Sequence, residues 1–234
     1  MSPYDDGSLP YFEKLTKSSI TKFNIPNLGL TLNYDTGRKR GLRSLTFGFI
    51  LTKTASFDED VYANGTNATT SFMGALASQA SGYLASDLAN ADAYDFMPWK
   101  YVTGFKSAMF DPFNDIYVAA TEMVYDDNTC FVAGELDQTY GRRTRGDKYE
   151  YIINAGFNIS DFVYFGMNLG INSISYSYDE YFKEEAVNSE DFLVEYKDDQ
   201  GNIISSSYFN RMKYRSGYSF SGTGFFAKFG VIVN

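Results

Sequence analysis

The chain has 234 residues, a formal charge of −9, 20 Gly, 21 Phe and 20 Tyr, but one Trp, one Cys and no His. That length carries one large domain or two small ones, and the acidic balance argues against a nucleic-acid partner. Without His there is no imidazole base, and the lone Cys130 leaves no intrachain disulfide and no usual zinc ligand set.

The first residues, "MSPYDDGSLPYFEKL", are acidic and broken by Pro3 and Pro10. They lack the basic and apolar regions of a signal peptide. Taken alone, this predicts a cytoplasmic protein, unless a leader has been removed or the chain is a fragment. No apolar run reaches the ~18 residues of a membrane helix. A membrane β-barrel escapes both tests, because its signal is short-range alternation.

Period-two alternation, the mark of a strand, first appears in "LGLTLNY". There Leu28, Leu30, Leu32 and Tyr34 alternate with Gly29, Thr31 and Asn33. After the basic turn "DTGRKRG", Leu45, Phe47, Phe49 and Leu51 alternate with Thr46, Gly48, Ile50 and Thr52. A long segment follows, roughly 57–138, in which Phe72, Met73, Leu76, Ala80, Tyr83, Leu84 and Leu88 recur at helical spacing. This predicts one or two short amphipathic helices.

A third strand is expected over Lys148 to Phe157 and a fourth from Val163. In the fourth, Val163, Phe165, Met167, Leu169 and Ile171 face one way. Gly166, Asn168, Gly170 and Asn172 face the other. An acidic segment, 179–208, carries Glu184, Glu185, Glu190, Asp191, Glu195, Asp198 and Asp199, with "DDQGN" as a hairpin tip. The fifth strand, "GFFAKFGVIV", sets Phe225, Ala227, Phe229, Val231 and Val233 against Phe226, Lys228, Gly230 and Ile232.

The non-apolar face of these strands is rich in Gly, Asn and Thr. A water-facing sheet usually carries Lys, Glu and Arg there. A lipid-facing barrel strand has an apolar side and a small or polar lumen side, with turns alternately short and long. From the residues alone, a membrane barrel and a soluble all-β domain both stay open. Tyr34, Tyr149, Tyr164, Tyr176 and Tyr178 lie near strand ends, as interfacial girdles do.

The run "GRRTRGDKYEYIINAGFNISDFVYFGMNLGINSISYSYDEYFKEE" resembles the FadL/TodX-type outer-membrane porins of Gram-negative bacteria, which carry hydrophobic compounds. The resemblance rests on Gln138, Arg145-Gly146, Gly156, Asn158, Tyr164, Gly166, Leu169 to Ile171, Ile174 and Tyr176. It continues at Gly222, Gly224, Lys228, Gly230, Val231 and Ile232 and covers roughly 20–57 and 138–234. "DTGRKRGLRSLTFGF" resembles the family's second hairpin.

The likeness implies an all-β fold: an incomplete antiparallel transmembrane β-barrel of about five or six strands. Residues 58–137 would be a long extracellular insert with short helices, and 179–208 an acidic extracellular loop. It implies residence in the bacterial outer membrane and passive uptake of hydrophobic small molecules of fatty-acid or aromatic type. Partners would be outer-membrane lipid and lipopolysaccharide, with no cofactor and no enzymatic activity. The family's N-terminal plug is not matched, nor is anything after the fifth strand. The chain would then hold the outer capture region and part of the wall. The alternative is a surface or soluble β-rich binding module.

Candidate sites follow. Phe72, Met73, Leu76, Tyr83 and Leu84 could form an apolar capture groove or simply pack on one another. Trp99 and Lys100, in "FMPWKYVTGF", could grip a carboxylate head group or lie at the membrane interface. Val163, Phe165, Met167, Leu169 and Ile171 would face lipid. Gly166, Asn168, Gly170 and Asn172 would face the lumen. Arg142, Arg143 and Arg145 could line the lumen, bind lipopolysaccharide phosphates, or mark a solvated strand end. The acidic segment lacks the spaced ligands of a calcium loop and reads as solvated. No metal site and no catalytic constellation is expected.

Overall fold

The computed structural model describes residues 14–16, 25–125, 129–197, 200 and 202–234. The N-terminal stretch 1–13, and Asp198, Asp199 and Gly201 of the expected hairpin tip, lie outside them.

In chain order the elements begin with strands β1 (Lys14–Thr16), β2 (Asn27–Asp35), β3 (Leu42–Ser56) and β4 (Glu59–Asn67). Four short helices follow: α1 (Phe72–Ala80), α2 (Ala85–Ala89), α3 (Ala93–Phe96) and α4 (Trp99–Lys106). Then come β5 (Phe110–Phe113), β6 (Ile116–Ala119), β7 (Glu122–Val124) and β8 (Cys130–Val132). The long strands β9 (Leu136–Ile159) and β10 (Val163–Ala186) precede the hairpin β11 (Leu193–Lys197) and β12 (Ile203–Tyr208), and β13 (Arg211–Val233) ends the fold. The protein is thus mostly antiparallel β-sheet with few helices. No helix among the described residues is long and apolar enough to cross a membrane.

The chain divides into two compact units. One comprises Ser18–Val61, Arg142–Glu180 and Ser216–Asn234 and is a sheet. Its strands run in the order β2, β3, β9, β10, β13, each beside its neighbour in sequence among the long strands. The pairing is in register over long stretches: Leu30 opposes Phe49, which opposes Ile153, and Leu32 opposes Phe47, which opposes Ala155. Because side chains alternate with period two, this register gathers every apolar row on one face. The other face collects Thr31, Gly48 and Asn154, then Asn33, Thr46 and Gly156.

Both short turns carry the chemistry such turns need. β9 and β10 join through Ser160 and Asp161, both at φ +57°, the left-handed pair of a tight hairpin. Asn158 braces them, accepting the Asp161 N–H at 3.0 Å. Between β2 and β3, Gly37 and Gly41 take positive φ, and the Asp35 carboxylate accepts the Gly37 N–H at 2.8 Å.

The second unit, a lobe, comprises Tyr62–Gly141 and Tyr181–Arg215 together with β1. Its core holds Met73, Leu76, Ala77 and Ala80 of α1, Leu88 of α2, Tyr101 and Val102 of α4, and Phe110, Tyr117 and Ala119 of the β5–β6 hairpin. Gly104 of α4 lets Phe110 and Leu76 close in. A Cβ there would stand 2.6 Å from the Phe110 ring.

Several elements run past the bounds the pattern predicts. β9 begins at Leu136 and β10 continues to Ala186, so 179–186 is strand instead of loop. The insert opens with β4, which pairs with β9. Alternation fades there because these strand ends bury side chains against the lobe's own helices: Phe182 stacks on Phe72 at 4.4 Å, and Phe72 also meets Tyr214. The hairpin expected around "DDQGN" is flanked by β11 and β12, paired from Leu193↔Tyr208 to Lys197↔Ile203.

Candidate functional site

Two surfaces carry chemistry, one in each unit. In the sheet, no described residue covers the apolar face. Leu30 and Leu32 each keep 63% of their surface exposed, Ile153 64%, Phe225 81% and Phe229 68%. A water-soluble sheet would hide such a row beneath a second layer. An exposed apolar patch of this extent marks a surface made for lipid or protein.

The rows also stop together. Along β9 the apolar positions run from Tyr149 to Phe157, along β10 from Val163 to Ile171, and along β13 from Phe225 to Val233. Beyond them the same face turns to Ser173, Ser175 and Ser177 on β10, and to Thr223, Ser221 and Ser219 on β13.

The opposite face is mixed, with Gly, Asn and Thr beside Ile50, Ile152 and Phe226. Asn154 donates to Asn168 across β9 and β10, and Thr46 donates to Asn33 at 3.0 Å. Gly170 makes room for Phe226, whose ring would lie 2.2 Å from a Cβ. Gly166 faces open space. Asn172 keeps a buried side-chain oxygen with no hydrogen-bond partner among the described residues. Farther along stand stacked aromatics, Tyr176 on Phe220 at 5.3 Å and Tyr178 on Tyr218 at 5.2 Å. All four expected lumen residues and all five expected lipid residues therefore lie on β10, on alternate faces.

The arginines beyond the apolar rows are paired. Arg142 meets Glu59 at 2.7 Å, while Arg145 and Arg143 share Asp60 at 2.7 and 3.4 Å.

The lobe disperses the seven expected ligand-binding residues. Met73 and Leu76 are core, 2% and 4% exposed. Phe72 is stacked on Phe182. Tyr83 packs on Tyr101, and its carbonyl accepts the Tyr117 hydroxyl at 2.9 Å. Leu84 and Trp99 are exposed, with the Trp99 indole N–H donating to the Tyr94 carbonyl at 2.8 Å. Lys100 donates to Gln79 at 2.7 Å and lies over the Tyr101 ring. Helical spacing identified the buried stripe of α1, and this stripe packs on the lobe itself.

A cavity of about 550 Å³ lies elsewhere in the lobe, between the β5–β6 and β11–β12 hairpins. Its walls include Phe113, Val118, Leu193 and Ile204, and three carboxylates line it, Asp111, Glu122 and Glu195. Burial pushes the Asp111 carboxyl up from its ordinary range. Burial also raises Glu122, helped by the Glu184 charge and opposed by the Ala119 N–H that it accepts at 3.0 Å. The Cys130 thiol is raised by burial and then by Glu122. None of the expected binding residues falls at this site, whose first wall is the hairpin "FDPFNDIYVA" with Asp111 inside it. Its partner hairpin is some eighty residues away, and only the fold joins them.

Among the described residues no group of three or more Cys, Asp or Glu is placed to hold a metal ion. Comparison of the chain with protein-family models, with curated proteins and with solved structures finds no match. The functional reading therefore rests on these residues.

Proposed function

We propose that the sheet is part of the wall of an antiparallel β-barrel in a bacterial outer membrane, and that the protein serves passive uptake of hydrophobic small molecules. One observation carries the reading: a continuous apolar face that no described residue covers, backed by a face richer in Gly, Asn and Thr. Its height supports the assignment. Nine residues, as from Val163 to Ile171, rise ~30 Å along a strand at ~3.3 Å each. A tilt of ~40° leaves ~23 Å, near the ~25 Å apolar band of outer-membrane barrels.

In this reading Val163, Phe165, Met167, Leu169 and Ile171 meet acyl chains, and Gly166, Asn168, Gly170 and Asn172 face the passage. The short turns and long connections alternate as barrel turns do, and the lobe would supply the capture region. The resemblance to FadL/TodX-type porins points the same way. Two tests apply. Fluorophores attached at Leu169 and Ile171 should be quenched by brominated lipid, and fluorophores at Gly166 and Asn168 should not. Equal quenching on both faces rejects the wall. Cells bearing the full-length gene should take up a hydrophobic probe faster than deletion cells; equal uptake rejects the transport role and leaves the binding-module alternative.

A further inference from the structure

Four rings on the mixed face of the sheet form a continuous stack. Tyr178 lies against Tyr218 at 5.2 Å, Tyr218 against Tyr176 at 5.9 Å, and Tyr176 against Phe220 at 5.3 Å. Phe220, the last ring, keeps 50% of its surface exposed. The next two places on that face of β13 are Gly222 and Gly224, which carry no side chain. A Cβ on Gly222 would meet only Ile174, at 3.6 Å, and one on Gly224 would meet nothing within 4 Å. Phe226 follows, its ring folded over Gly170. Phe220 and Phe226 stand ~20 Å apart along the strand, so a flat ring system fits between them. With Ile174 beside Gly222 and Gly170 under Phe226, the register sets Asn172 beside Gly224. The Asn172 Oδ1 is buried and has no hydrogen-bond partner among the described residues. Such an acceptor is costly until a donor meets it. We propose that this gap binds a flat aromatic solute carrying an O–H or N–H donor. Its ring extends the stack at Phe220, and its donor satisfies Asn172. A saturated chain offers no ring to stack, and a carboxylate brings no donor to the Asn172 oxygen.

This site rests on the uptake reading for one thing: the face that carries it must line the passage and not the lipid. The test is equilibrium binding of naphthol, its methyl ether and octanol to the full chain in nanodiscs, with protein-free nanodiscs as the baseline for partitioning. Naphthol should bind about three- to tenfold tighter than the ether, which has the ring without the donor. Octanol, which has the donor without the ring, should bind about tenfold or more weakly than naphthol. Asn172→Leu should abolish the preference for naphthol over the ether. Gly224→Leu fills the gap and should weaken both naphthalenes at least about tenfold. Should that variant not fold, Phe220→Leu reads the same contact and should weaken both about three- to tenfold. Naphthol binding that survives filling the gap or loss of the Phe220 ring overturns the proposal. So does a preference over the ether that is absent from the parent or persists in Asn172→Leu. Binding without uptake by cells rejects transport alone, and uptake without binding rejects this site alone.

Discussion

Glu184, near the end of β10, accepts the backbone N–H of Phe72 at 2.6 Å and that of Met73 at 3.2 Å. It is 1% exposed. The same carboxylate accepts the Ser71 hydroxyl at 3.0 Å and the Gln138 amide at 2.7 Å. A buried charge is tolerable only with such partners, and the start of α1 supplies amide donors and a favourable dipole. Ser71 completes the cap by accepting the Gly74 N–H at 3.2 Å.

Removing that carboxylate should therefore loosen the lobe. Glu184→Ala leaves the amides of Phe72 and Met73 unsatisfied and should cost about 2–4 kcal/mol, whereas Glu184→Gln, which keeps an acceptor, should cost about half as much. Denaturant unfolding followed by Trp99, the one tryptophan, reads this directly. A loss under ~0.5 kcal/mol for the alanine variant would refute the role.

Gly146 sits at φ +143°, and a Cβ there would stand 2.1 Å from the Ser175 carbonyl oxygen of β10. Backbone cannot yield as a side-chain tip can, so Gly146→Ala should destabilise by about 2–4 kcal/mol. Gly166→Ala enters open space and should stay within about 1 kcal/mol of the parent. Thermal unfolding of the two variants side by side decides the matter; equal midpoints would contradict this account of Gly146.

The two faces of β10 should respond oppositely to charge in a bilayer. Met167→Arg puts a guanidinium in the middle of the apolar row and should cost about 2–4 kcal/mol of folding stability in lipid. Gly166→Arg, one residue away on the open face, should cost about 1 kcal/mol or less. Folding titrations into vesicles measure both, and a reversed order would assign the lipid to the other face.

The pH dependence of the lobe follows from Asp111. Its carboxyl holds a proton more tightly when folded than when unfolded, because burial disfavours the charge. The folded state then binds more protons, and this group's contribution to stability falls as pH rises from ~4, the ordinary carboxylate range, through the raised folded value. Asp111→Asn removes that loss, so the variant should exceed the parent in melting temperature at pH 7 and approach it near pH 4. A gap that does not widen with pH would show that Asp111 is not desolvated.

Alternation alone placed the cores of β2, β3, β9, β10 and β13, because a sheet with two chemically distinct faces writes its period into the chain. Leu28 to Tyr34 and Phe225 to Val233 need no partner to be read, and the same contrast assigned Val163 to Ile171 and Gly166 to Asn172 to opposite sides. The helical stripe of α1 was legible for the same reason. What it packs against was not. A burial pattern states that Met73 and Leu76 are covered without naming the cover, and the cover is Val102, Phe110 and Tyr117. Glu184 reads as one of a run of acidic residues until β10 carries it to the first turn of α1. The cavity's walls come from hairpins far apart in sequence, and such long-range pairings are fixed by the cooperative burial of the whole lobe.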